Sequence, residues 1–419
     1  MLPLGNVRSH LSPEDPSPMR KPRRTRSLAT ALVVGALAAA VPAGAALAQT
    51  PSVSLRGRIQ TQFSAASGDS SGSFDPDAQV NSSFEIRRLR IQADVRIGEN
   101  ISLVIQPSFE MGALRMRDAF LRVALARNAT TSVGLTVGQE KKPFNRYELT
   151  TSNTLPSIER GVRLRGLSPV AAQNNLLEEN GYVSHDIGAS ADASLLSNRL
   201  QLKAGLYNGA GESSNDVNDA KTYVGRATFT ALRTADRLPV LRVGAALISR
   251  DRAVTATAAG TAFAPDSSRR ASAFGLEAEW GDFRPGLHVI ADFATGDHLE
   301  DATYRYAVGR NAGNLRPNTP DAAFSTFRSL HLVAAWRHQF HDPEGRRLVK
   351  ILEPALRLDV TDPSTGRDDD QGLLVTPVLN VYFSQTTVMR AGLDLYRFTA
   401  SDGSSRSVRA FRMSWQANF

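Results

Sequence analysis

Leu89-Arg90-Ile91-Gln92-Ala93-Asp94-Val95-Arg96-Ile97 alternates without a break: Leu89, Ile91, Ala93, Val95 and Ile97 share one face of an extended chain. Arg90, Gln92, Asp94 and Arg96, with Arg88 just before them, share the other. A helix would scramble these two sets, so the segment reads as a strand with one apolar and one polar face. After a turn at Gly98-Glu99-Asn100, Ile101, Leu103, Ile105 and Phe109 repeat the pattern. It returns at Leu200-Leu202-Ala204-Leu206, at Leu241-Val243-Ala245-Leu247, at Leu287-Val289-Ala291-Phe293 and at Met389-Ala391-Leu393-Leu395.

Working outward, tight turns fall near 98–100, 127–130, 197–199, 234–238, 281–284, 341–346 and 384–387. Longer connections fall near 64–81, 111–113, 140–179, 209–220, 250–270, 295–325, 361–371 and 399–406. Apart from 111–113, every second connection is long, which gives about sixteen strands with both ends on the short-turn side. An even strand count with short periplasmic turns is the plan of a bacterial transmembrane β-barrel. The expected fold is therefore all-β, a transmembrane antiparallel barrel; a soluble β-sandwich shares the alternation and is the competing architecture.

Both termini bear on that choice. Phe411, Met413, Trp415, Ala417 and Phe419 alternate with Arg412, Ser414, Gln416 and Asn418, and the terminal aromatic resembles the strand by which barrel-assembly machinery recognises its clients. At the other end, Met19 to Ala48 has the three parts of a secretory signal: Arg20, Lys21, Arg23, Arg24 and Arg26, an Ala/Leu/Val run over Leu28 to Val41, and a small-x-small site at Ala46-Leu47-Ala48. Cleavage would leave a mature chain from Gln49, with residues 1–18 a non-structural extension and Met1 or Met19 the start. After residue 48 no stretch offers the roughly 20 apolar residues of a spanning helix, so only a closed barrel could hold this chain in an outer membrane.

The 419 residues carry a net charge of +8, of which Arg8 and the five signal cations, less Glu14 and Asp15, account for half. The remaining excess is too small to mark a nucleic-acid binder. Without cysteine there is neither a disulfide framework nor a thiolate metal site. No cofactor motif is present: Gly205, Gly209 and Gly211 match no phosphate-loop spacing, and His338 and His341 fit no zinc pattern. His288, Asp292 and His331 could face one lumen but come with no recognisable nucleophile, so the residues do not spell out an outer-membrane hydrolase. Asp368-Asp369-Asp370 reads as a solvated loop tip that could bind divalent cations.

In a wide barrel the polar face lines water and carries function. Here it holds Arg88, Arg90, Arg96, Arg122, Lys203, Arg226, Arg242, Arg357, Arg390 and Arg412, against Asp94, Asp118, Asp292, Asp359 and Asp394. Guanidinium stays charged and offers paired donors to oxyanions, which favours an anion path. The connection 140–179, after the fifth strand, is expected to fold inward; it carries Lys141, Lys142, Arg146, Arg160, Arg163 and Arg165 against Glu140, Glu148, Glu159, Glu178 and Glu179.

Four segments add a resemblance: Phe84-Glu85-Ile86-Arg87-Arg88-Leu89-Arg90, then Arg117-Asp118-Ala119-Phe120-Leu121, then Gly138-Gln139-Glu140-Lys141-Lys142-Pro143-Phe144-Asn145-Arg146-Tyr147-Glu148, then Ile158-Glu159-Arg160. In this order they look like the phosphate-selective porin O and P family. The resemblance implies a sixteen-stranded homotrimer in outer-membrane lipid that passes small inorganic anions, with Arg88 and Arg90 as ladder candidates and Lys141 and Lys142 as filter candidates. A general non-selective porin and a structural or receptor barrel remain as other readings of the same residues.

Overall fold

The computed structural model describes residues 50–68, 82–110, 112–162, 172–216, 221–251, 270–298, 325–366, 371–399 and 405–419. The signal segment, residues 1–18, Arg163, Arg165 and Asp368-Asp369-Asp370 lie outside them.

The strands are β1 (Ser52–Gly68), β2 (Ser82–Ile97), β3 (Ile101–Glu110), β4 (Ala113–Arg127), β5 (Ser132–Lys141), β6 (His185–Leu195), β7 (Leu200–Tyr207), β8 (Thr222–Arg233), β9 (Pro239–Asp251), β10 (Arg270–Trp280), β11 (Gly286–His298), β12 (Ser325–Gln339), β13 (Ile351–Asp362), β14 (Gly372–Tyr382), β15 (Thr387–Thr399) and β16 (Ser405–Asn418). Each pairs antiparallel with its neighbours in sequence, and β1 pairs with β16, closing a barrel of sixteen strands. Closure leaves no open edge, so every strand finds partners for its backbone groups on both sides. The strands β1 and β11 run on to Gly68 and His298, past the expected loop starts at 64 and 295. Their loop-side ends gain the same ladder bonds as their middles.

Burial runs opposite to that of a soluble domain. Leu55, Phe84, Leu89, Ile91, Phe109 and Trp336 are exposed, whereas Arg58, Arg88, Asp292, Asp359, Arg390 and Arg412 are buried. Such inversion suits a wall whose outer side meets acyl chains, and it removes the sandwich reading. At the seam, Phe419 and Gly57 exchange backbone hydrogen bonds of 2.7 and 3.0 Å. A Cβ at Gly57 would overlap the Phe419 ring where it now lies, so glycine leaves room for the terminal aromatic in this position.

The alternation breaks once in β2. Against β1, Gln60 faces Arg88 but Thr61 faces Ile86, so a β-bulge inserts Arg87. Arg87 and Arg88 are consequently both buried on the inner side. Strict alternation would have turned Arg87 toward lipid, where an unpaired guanidinium is costly.

Candidate pore constriction

The connection from β5 to β6 holds two short helices, α1 (Arg146–Leu149) and α2 (Gln173–Glu179). Asn145 takes a left-handed φ of 72° and accepts from the Glu148 N–H at 2.9 Å, capping α1, while its amide donates to Gln173 at 2.8 Å. Asn tolerates this φ and supplies the capping oxygen, so one residue both turns the chain and starts the helix. The first N–H groups of α1 then meet the wall: Arg146 N and Tyr147 N each donate to the Asp292 carboxylate on β11 at 2.9 Å. Gln173 N, at the start of α2, donates to Asp359 on β13 at 3.0 Å. Asp292 and Asp359, two acids that would dilute a positive lumen, are thus loop anchors.

Further contacts run around the ring. Arg146 pairs with Glu279 of β10 at 2.7 Å. The Tyr147 ring lies 3.8 Å from that of His331 on β12, with the Arg357 guanidinium 5.4 Å from its centre. Pro156 O accepts from Asn380 of β14 at 2.8 Å, and Asn153 O accepts from Arg390 of β15 at 3.1 Å. Ser152 Oγ accepts from Arg58 of β1 at 2.7 Å. Glu159 accepts from Arg87 at 2.5 Å and Arg88 at 2.7 Å on β2. One segment can reach β1, β2, β10, β11, β13, β14 and β15 together only from inside a closed ring.

The described basic residues of this segment are all engaged. Lys141 meets Glu148 at 2.7 Å, Arg160 lies 3.6 Å from the same carboxylate, and Lys142 lies 3.5 Å from Asp186 and donates to Gly181 O at 2.9 Å. Burial pushes the Lys142 ammonium down to about 8, an effect Asp186 only partly offsets. Burial raises the Glu148 carboxyl, yet Lys141 and Arg160 bring it to about 2 overall. Glu159 is likewise desolvated, and Arg87 and Arg88 nevertheless hold it well below the carboxylate range.

The wall arginines divide into two groups. Arg122 pairs with Asp192 at 2.6 Å, Lys203 with Glu140 at 2.5 Å, Arg242 with Glu279 at 3.0 Å, Arg357 with Asp359 at 2.5 Å and Arg412 with Asp394 at 2.9 Å. Arg226 pairs with Glu277, and Arg90 with Glu110. Arg96 is exposed toward the short-turn end. Arg58 and Arg390 differ: both are buried, their partners include Ser152, Asn153, Gln416, Tyr382 and backbone oxygen, and neither forms an ion pair among the described residues, the nearest counter-charge to Arg390 being the more distant Glu353. The Nε atoms of Arg58, Arg88 and Arg390 have no hydrogen-bond partner.

Among the described residues, two spaces beside the loop bear on the pore. One, of about 380 Å³, is lined by Arg56, Arg58, Arg90, Lys141 and Arg160 and by Asp118 and His185, paired with each other at 3.3 Å. The other, about 190 Å³, is bounded by Arg146, Arg226 and Arg242 together with Glu277 and Glu279. Sequence reading missed Arg58 and Arg87. Arg58 carries the ordinary signal, opposite the exposed Leu55 and Ile59, whereas Arg87 shows only in the stretched step of outward residues Phe84, Ile86, Leu89 and Ile91.

A family model for phosphate-selective porin O and P matches residues 53–279, more than half of the chain. The chain belongs to this family. Solved structures with a similar fold include the outer-membrane channel DcaP of Acinetobacter baumannii, 13% identical, TM-score 0.52, covering 90% of this chain and 100% of that one. An anion-selective porin from Comamonas acidovorans is 12% identical with TM-score 0.53, covering 88% and 100%, and the trimer form of OmpT from Vibrio cholerae is 11% identical with TM-score 0.50, covering 88% and 100%. No curated protein sequence matches. Family and fold make the chain an outer-membrane porin, a channel more than an enzyme. In keeping with that, the 3.1 Å contact of His331 with Asp359 is fully buried under Tyr147 and reads as packing.

Proposed function

We propose that this porin passes small anions, phosphate or related oxyanions among them, by passive diffusion along the seam wall. The observation that carries the reading is the 380 Å³ space lined by five cations and one carboxylate, Asp118, itself engaged by His185; Arg56, Arg90, Lys141 and Arg160 have Asp94, Glu110 and Glu148 as partners outside that lining, and Arg58 forms no ion pair among the described residues. A cation about 4 Å from an anion is worth roughly 4 kcal/mol at an effective dielectric of 20, and less in a salt-filled lumen. Several such weak sites in series favour conduction, since one deep well would trap the ion. The loop that bridges the ring serves as the constriction, and Arg88, Arg90, Lys141 and Lys142 act within it. The anion-selective neighbour supports this direction and the trimeric neighbour supports a homotrimer. Export through a signal removed after Ala48, and insertion through the strand ending at Phe419, complete the proposal.

The second reading, a non-selective porin, draws on the paired arginines: Arg122, Lys203, Arg226, Arg242 and Arg412 each have an acid beside them. Reversal potentials in a salt gradient across a planar bilayer, with and without added phosphate, separate the two. Anion preference is expected; a preference for cations would overturn the proposal, and none at all would establish the second reading.

A further inference from the structure

The 380 Å³ space beside the seam wall falls within the roughly 300–1,000 Å³ of small-molecule sites, more than a bare oxyanion fills. Its neutral groups bear on which solute it fits. Across the wall the register sets Arg56 of β1 opposite Gln92 of β2, which accepts from Gln106 of β3, and Asp118 of β4 also lines the space. The wall thus runs from cation through two amides to a carboxylate.

The orientation of both amides is fixed from one end. The Asp94 carboxylate can only accept; it takes Arg56 Nε at 2.9 Å and Gln92 Nε2 at 2.8 Å. The Gln92 oxygen is thereby turned to Gln106 Nε2, from which it accepts at 2.5 Å, and Gln106 must present its own oxygen elsewhere. Among the described residues Gln106 Oε1 accepts no hydrogen bond, and neither does Asp118 Oδ2, since His185 meets only Oδ1. Both residues line the space, so the wall offers it two open acceptors.

The loop side offers donors. Asn153 Oδ1 accepts from Arg58, which leaves the amide nitrogen of Asn153 to donate. Thr151 Oγ1 accepts from Asn153 N at 3.4 Å, which leaves its hydroxyl proton. Both side chains belong to exposed residues in the lining. Arg58 Nη2 likewise donates to nothing among the described residues. An inorganic oxyanion is mostly acceptor, so Gln106 Oε1 and Asp118 repel it; a hydroxyl can donate to these two and accept from Asn153 and Thr151.

We propose that this space binds a small organic anion that also carries hydroxyl groups, its charged head on Arg56 and Arg58 and its hydroxyls on Gln106, Asp118 and Asn153. The site rests on the anion path proposed above, to which it adds the class of solute.

Block of the chloride current through the full chain in a planar bilayer tests it, with gluconate against hexanoate and glucose 6-phosphate against inorganic phosphate. Each pair shares a head group and differs in hydroxyls. Gluconate should block at about tenfold lower concentration than hexanoate, as two net hydrogen bonds give, and glucose 6-phosphate should exceed phosphate likewise. Gln106→Leu should remove this advantage, and Asn153→Ala should reduce it about threefold. Equal block within both pairs, block by uncharged glucose as strong as by gluconate, or an advantage that survives both substitutions would overturn the site. Reversal potentials in a chloride gradient across the same membranes keep the two proposals apart. Anion preference with equal block discards the site alone, whereas cation preference discards the path beneath it.

Discussion

The seam wall, β15 through β16 and β1 to β2, and the far wall, β8 through β13, carry the same kinds of residue and use them differently. On the far wall, Glu279, Asp292 and Asp359 are all occupied, holding Arg146, the start of α1 and the start of α2. On the seam wall, Arg87 and Arg88 share one loop carboxylate, Glu159, and Arg58 and Arg390 form no ion pair among the described residues. The acids of a porin lumen therefore need not oppose its cations. Where they cap a loop, they consume backbone donors, and the cations opposite keep their field.

The largest expected effect comes from releasing the far wall's hold. Asp292→Ala deletes the acceptor of two charge-assisted hydrogen bonds, worth about 1.5–3 kcal/mol each. Single-channel conductance should rise and protease should cut within the β5–β6 connection; an unchanged channel would mean that the loop is held by other contacts. Next comes Glu159→Gln, which leaves Arg87 and Arg88 buried without their counter-charge, at a cost of about 3–5 kcal/mol. The barrel should melt at a lower temperature on a gel-shift assay while anion preference increases. A fall in anion preference would show that Glu159 does not screen the seam wall.

A smaller change is expected from Arg88→Ala with Arg90→Ala. Arg87 and Arg117 still meet Glu159 and Glu110, so the barrel should fold normally while anion preference drops. An unmoved reversal potential would take both residues out of the path.

The smallest effect is a pH dependence. Lys142 stands at about 8 against an ordinary 10.5, so between these values the unfolded chain binds the proton that the folded chain has lost. Stability from this group therefore rises with pH across that window, while the loss of its charge lowers anion preference as pH passes about 8. Selectivity that is flat from pH 7 to 9 would place Lys142 away from the conducting space.

Most of the fold was legible because lipid on one side and water on the other impose a two-residue rhythm with few exceptions. From Leu89 to Ile97 no residue breaks it, and each turn lies where the rhythm stops. The bulge at Arg87 was not legible as such. It shifts one pair of residues, and its trace is a single three-residue step from Ile86 to Leu89.

The loop's path was still less so. Arg146 meets Glu279 and Gln173 meets Asp359 across more than a hundred residues, and such pairs have no periodicity to announce them. Charge tallies fared worst, since Asp292 and Asp359 count as negative in a sum yet are spent on N–H groups.

The comparison between the walls reduces to one experiment in a single bilayer: the reversal potential of Arg58→Gln/Arg390→Gln against that of Arg226→Gln/Glu277→Gln. The first pair removes two cations that form no ion pair among the described residues; the second removes one ion pair at no net charge. Anion preference should fall roughly fivefold in the first, as expected for about 1 kcal/mol, and stay put in the second. Equal responses from the two variants, or none from the first, would contradict the claim that the seam wall selects anions.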